Sequence, residues 1–143
     1  MFLQLTRNQF MDGTVKMPNG STVTKKDFVQ LQRKCMDGEI SKGFYLKDIL
    51  LNCQGSDRQI VKWAAKLLSH LTAQLFRDHF SDPASPNHHG KMALADFIDA
   101  IAEAFLILTS TQVNHPVRAK CALGKCLKII QNVSFPFLQK ILQ

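Results

Sequence analysis

The chain has 143 residues, 45% apolar and 20% charged. That balance excludes wholesale disorder and is enough for one domain whose core needs no disulfide or metal staple. Eighteen Lys and Arg against eleven Asp and Glu leave a net charge of +7, which favours acidic partners such as nucleic acid, anionic lipid or an acidic protein surface. No run reaches the about 18 consecutive apolar residues of a membrane span, and the N-terminal stretch lacks the layout of a signal peptide, so an intracellular protein, cytoplasmic or nuclear, is expected.

In chain order, residues 2–11 place Phe2, Leu3, Leu5, Phe10 and Met11 in a pattern that fits a short helix loosely and a strand no better. Asp12-Gly13 breaks it. Two short β-type stretches, residues 14–17 and 21–24, then flank Pro18-Asn19-Gly20, whose residues suit the unusual backbone angles of a tight turn. A small β-hairpin is predicted, leaning on helices because two strands do not stand alone in water. Thr24 with Asp27 three residues later is a capping-box-like helix start, and Phe28, Leu31 and Cys35 recur at helical spacing until Asp37-Gly38. Ser41 caps a further helix carrying Phe44, Tyr45, Ile49, Leu50 and Cys53, which ends at Gly55.

Residues 56–59 form a clearer capping box, and behind it Ile60, Trp63, Ala64, Leu67, Leu68, Leu71, Leu75 and Phe76 predict one continuous helix of about five turns. Residues 81–90, with two prolines and the pair His88-His89, read as an exposed loop. The apolar stripe resumes through Met92, Leu94, Phe97, Ile98, Ile101, Phe105 and Leu108, and Pro116 opens another helix. On that helix Ala119, Leu123, Cys126 and Ile130 share one face, while Arg118, Lys125 and Lys128 lie on another with Lys120 to one side. A last short helix carries Phe137, Leu138, Ile141 and Leu142 up to Gln143. Apolar residues so near the end suggest a domain cut from a longer protein.

Two segments, residues 60–68 and 116–127, resemble the second helix of a HEAT or armadillo-type repeat, in which an opening such as Pro116-Val117-Arg118 leads to small residues and then Leu. The resemblance implies a stack of helices with grooves between them. An irregular helical bundle with Ala-rich helices accounts for the same letters. The two segments start 56 residues apart, more than the about 40–47 of that family, and the proline-rich loop would supply the excess. A second segment, residues 85–97, resembles the later half of an EF-hand loop, with Gly90 at the turn and Asp96-Phe97 at the close. Its early positions, Ser85, Asn87 and His89, carry too little negative charge for calcium.

The remaining polar residues point to no catalytic machinery and to no cofactor or metal. Adjacent His88 and His89 in an extended loop would point in different directions, His70 and His79 read as partly exposed helix residues, and the four cysteines (Cys35, Cys53, Cys121, Cys126) lack zinc-module spacing and read as reduced thiols. Asp96, Asp99 and Glu103 share a helix face and read as a surface stripe. No nucleophile elbow, phosphate loop or dinucleotide fingerprint is present. The expected architecture over residues 1–143 is therefore a single mainly α domain, a multi-helix bundle or HEAT-like stack, with an N-terminal helix and hairpin in residues 1–24 and a helical body in 25–143. Its expected work is non-catalytic protein–protein recognition, as a scaffold or adaptor binding a partner's acidic or amphipathic segment through Arg118, Lys120, Lys125, Lys128, Phe137 and Ile141. The alternative is a nucleic-acid-binding domain that uses the basic face of residues 118–128.

Overall fold

The apolar periodicity becomes helix along most of the chain. The structure, a computed structural model, describes residues 2–36, 55, 61–109 and 116–131, with the backbone alone for residues 2, 35, 36, 109, 116–121 and 131. The elements are α1 (Phe2–Asp12), β1 (Val15–Lys16), β2 (Thr22–Val23), α2 (Lys25–Met36), α3 (Val61–Leu67), α4 (His70–Phe80), α5 (His88–Thr109) and α6 (Pro116–Gln131). This is the expected mainly α fold with a two-stranded N-terminal hairpin. Among the described residues no helix is long and apolar enough to cross a membrane. The helices expected around residues 41–55 and 137–142 lie outside the described residues.

The N-terminal elements follow local chemistry. α1 is a firm helix although its apolar pattern is loose, because its buried side includes Gln4, Thr6 and Arg7 beside Leu3 and Phe10. In the hairpin Val15 pairs with Val23 and Lys16 with Thr22. Gly20 takes the turn's positive φ of 87°, and the Ser21 amide donates to Asn19 Oδ1 at 2.9 Å. Val15, Met17 and Val23 are buried, and β2 rests against α5. At the start of α2 the Thr24 amide donates to Asp27 Oδ2 at 3.1 Å, while the Lys26 amide donates to Thr24 Oγ1 at 3.2 Å. The expected cap is formed.

Two expectations are corrected. The single helix predicted from residue 60 to 76 is two helices, broken at Leu68-Ser69. Ser69 adopts an extended conformation (φ −114°, ψ 160°), accepts from the Thr72 amide and donates its hydroxyl to the Lys66 carbonyl at 3.0 Å. A serine that satisfies both helix ends in this way favours a break over continuation. The exposed loop predicted over residues 81–90 ends earlier, because α5 begins at His88. Asn87, in the left-handed region at φ 49°, turns the chain, and its carbonyl accepts the Lys91 amide at 2.9 Å. Its side chain donates to the Thr22 carbonyl at 2.9 Å and to Asp27 Oδ1 at 3.0 Å. Gly90 is required next to it, since a Cβ there would come within 2.5 Å of the Asn87 amide. Residues 85–97 are thus mostly helix, unlike a calcium loop.

α5 is the central strut, 22 residues or about 33 Å long. Leu94, Phe97, Ile98 and Ile101 are buried along it, and so are Ala95, Ala100, Ala102 and Ala104, whose small side chains let neighbouring helices come close. α4 and α6 both pack along α5, while α1 packs against α3. A chain of aromatic rings joins the helices: Phe97 to Phe10 at 5.7 Å, Phe10 to Phe28 and Phe28 to Phe76 each at 5.6 Å, and Phe76 to Phe80 at 6.1 Å. Ala64, Leu67, Leu68, Cys126 and Ile130 are buried in the same core, with Trp63 and Leu123 partly buried against it. Cys126 is a free thiol whose pKa is raised by burial and then by the nearby Glu103.

A fully buried Lys91 completes the joint between hairpin and helices. Its ammonium lies 3.2 Å from Asp27 Oδ1, donates to the Pro86 carbonyl and sits 4.8 Å from the centre of the Phe80 ring. Removing one partner of a buried ion pair costs about 3–5 kcal/mol. Asp27→Ala is expected to lose about that much in urea unfolding, because it strands Lys91 and also uncaps α2. Lys91→Met is expected to cost less, since Asp27 keeps its bonds to the Thr24 amide and Asn87. A loss below about 1 kcal/mol for Asp27→Ala would contradict this role for the pair.

Candidate functional site

Helix register brings charged residues together across α4 and α5. His70 and Arg77 stand seven residues apart on α4, so they share one side of that helix. Asp96, Asp99 and Glu103 share one side of α5, which runs antiparallel, so Arg77 meets Asp96 and Asp99 while His70 meets Asp99 and Glu103. The Arg77 guanidinium donates to Asp96 at 2.7 Å and to Asp99 at 2.5 Å. His70 Nδ1 lies 2.7 Å from Asp99 Oδ1, and Nε2 lies 3.3 Å from Glu103 Oε2. The carboxylates are more than a solvated stripe: Asp99 bridges both cations.

The geometry favours the charged form of the histidine. A carboxylate faces each ring nitrogen, and only the imidazolium donates to both. The hydrogen bond from Asp99 raises the pKa of His70 above its ordinary 6.5; burial opposes this, and Glu103 adds to the rise. For Arg77, burial disfavours the charge, but the hydrogen bonds to Asp96 and Asp99 outweigh it and the pKa is raised. A histidine whose nitrogens are both engaged is a poor general base, so the cluster ties helices together.

Beside this cluster lies a groove of about 780 Å³. Its walls are the charged side chains of α4 and α5, together with Pro18 and Asn19 of the hairpin turn and His89. Its apolar surface comes from Met92, Ala93, Phe97 and Ala100 of α5 and from Ile129 of α6. Asn19 Nδ2 donates to the His89 carbonyl at 3.1 Å, which fixes the turn at the groove's end.

Lys125 and Lys128 are exposed on α6, opposite the buried Cys126 and Ile130, as helical spacing predicts. Arg118 and Lys120 are on the same helix, with only their backbone described, and Phe137 and Ile141 lie outside the described residues. Neither Lys125 nor Lys128 lines the groove. His88 and His89 do not diverge as an extended loop would make them: they open α5 with ring centres 5.2 Å apart, and His88 Nδ1 donates to the Phe80 carbonyl at 2.8 Å. Among the described residues no group of three or more His, Cys, Asp and Glu is arranged to hold a metal ion. The pairing of His70 and Arg77 with the acidic side of α5 is the feature that sequence reasoning missed. Matching seven-residue spacing on successive helices was the signal that could have found it.

No protein-family model matches the chain, and no curated protein matches it. Among solved structures it is similar to the Drosophila P element transposase strand transfer complex, with 22% identity and a TM-score of 0.69. The match covers 89% of this chain and 31% of that chain, so this chain corresponds to less than a third of the transposase. At this identity the likeness shows a shared fold.

The His70 clamp has a signed pH dependence. Its folded pKa is raised, so its contribution to stability is complete below the unfolded value of about 6.5 and is lost as pH rises through the folded value. Thermal unfolding from about pH 5.5 to pH 9 should show the wild type losing up to about 1 kcal/mol more than His70→Gln, a small amount because the pair is half exposed. Identical pH profiles for the two proteins would contradict the clamp.

Proposed function

We propose that the chain is a non-catalytic helical module of a larger, transposase-type protein, where it helps to hold nucleic acid. The observation that carries this reading is the fold likeness, which spans 89% of this chain but 31% of the transposase. The acidic residues of α5 support the non-catalytic part, because Asp96, Asp99 and Glu103 are engaged by Arg77 and His70.

Charge supports the nucleic-acid part. Residues 104–143 contain five basic residues and no acidic one, within a chain of net charge +7. Lys125 and Lys128 are exposed within one turn of each other on α6, and Arg118 stands two turns before Lys125 in the helical register. Such a row tracks phosphates through contacts that release counterions and weaken with salt.

A second reading is docking of a protein partner's peptide or helix into a groove between helices, the use that the repeat resemblance implies. Exposed Leu106 and Leu108 on α5 and Ile129 on α6 favour it.

Fluorescence anisotropy with a short DNA duplex tests the first reading. Affinity should fall steeply with salt, and Lys125→Glu/Lys128→Glu should flatten the slope of log K against log salt by about 2, close to one phosphate contact for each lysine. No binding at low salt, or an unchanged slope in the double variant, would refute the α6 contact.

A further inference from the structure

The groove between α4, α5 and α6 has an apolar floor that stays open, since Ile129 is 44% exposed and lines it opposite Met92, Ala93 and Ala100. Met92 and Ala93 on α5 are partly exposed and Ile129 on α6 is exposed, which leaves an apolar patch on which another helix can lie, bordered by the buried Phe97 and Ala100. Charge along this patch identifies its occupant. Three carboxylates face two cations in the cluster, so one negative charge is left over in a chain whose net charge is +7. Asp96 gives Arg77 one oxygen and Glu103 gives His70 one oxygen, while Asp96 Oδ2 and Glu103 Oε1 accept no hydrogen bond among the described residues. Asp96 is 70% exposed and Glu103 47%. Both carboxylates are therefore open to a further donor.

From this arrangement we propose that the groove docks an amphipathic helix of a protein partner, with apolar side chains on Met92, Ala93 and Ile129 and Arg or Lys reaching Asp96 and Glu103. The two carboxylates stand two helical turns apart, about 10.5 Å, so cations seven residues apart on the partner helix match them. Arginine suits these positions because its fork of donors engages a free carboxylate oxygen without displacing the partner already bound. A phosphate-bearing ligand is disfavoured here by the same carboxylates. The proposal rests on the protein-docking reading, to which it gives a place and a partner chemistry, and it is separate from the polyanion contact on Lys125 and Lys128.

The test uses the full chain, NMR and a synthetic helical peptide of about 15 residues, a length at which an isolated helix becomes viable. The peptide carries two arginines seven residues apart, flanked by leucines; a control peptide carries glutamate in place of each arginine. The expected result is saturable binding of the arginine peptide with shifts centred on Met92, Ala93, Ala100 and Ile129. Asp96→Asn/Glu103→Gln should weaken it by about tenfold or more, and Asp78→Asn, which alters an exposed carboxylate outside the groove, should leave it unchanged. Should the double variant melt early, Asp96→Asn alone supplies the same comparison with a severalfold loss. Equal binding of the glutamate peptide, unchanged affinity in the groove variants, shifts mapping elsewhere or no saturable binding would each overturn the proposal. So would concentration-dependent groove shifts without peptide, which would make a second copy the occupant. Failure of the groove with DNA affinity intact removes the docking proposal and spares the polyanion reading.

Discussion

The rings of Phe97, Phe10, Phe28, Phe76 and Phe80 form one continuous chain through α5, α1, α2 and α4, with neighbouring centres 5.6–6.1 Å apart. The edge-to-face contacts among Phe97, Phe10, Phe28 and Phe76 add to the gain from burying each ring and constrain the angle at which one helix meets the next. The Phe10–Phe97 and Phe28–Phe76 contacts join helices far apart in sequence, so the rings hold together elements that local hydrogen bonding leaves independent. Lys91 extends the chain at its Phe80 end and joins it to Asp27 at the start of α2. With α4 and α5 held in this register, His70 and Arg77 meet the carboxylates of α5, and the groove beside them takes its shape.

This register also separates two surfaces of opposite character. α6 buries Cys126 and Ile130 and leaves Lys125 and Lys128 in solvent. The groove below Ile129 gathers Asp96, Asp99 and Glu103. A net charge of +7 describes neither surface by itself. One polypeptide thereby carries two exposed lysines on one face and a part-acidic, part-apolar groove on another.

Much of this fold was legible wherever a short-range rule decides the outcome. Pro18-Asn19-Gly20 gave the hairpin, Thr24 and Asp27 the start of α2, and the spacing from Met92 to Leu108 the body of α5. Short-range rules failed where a side chain serves a distant element. Leu67, Leu68 and Leu71 keep helical spacing across a break made by Ser69, because apolar periodicity does not register a serine that satisfies both helix ends. Gly90 read as the end of an exposed loop, yet it is buried and leaves room for the Asn87 side chain, and the buried Lys91 beside it finds Asp27 on α2. The candidate site was half visible. The acidic stripe was evident within α5, whereas its partners on α4 depend on antiparallel register, which composition and periodicity along a single helix do not encode.

Native-state hydrogen exchange tests most directly whether the ring chain makes these helices one cooperative unit. The slowest amides of α1, α2, α4 and α5 are predicted to exchange through a common opening, with the same free energy and the same dependence on denaturant. Protection in α1 and α2 that disappears at markedly lower denaturant than protection in α4 and α5 would show two separate units, and would contradict the claim that the phenylalanine chain holds the fold together.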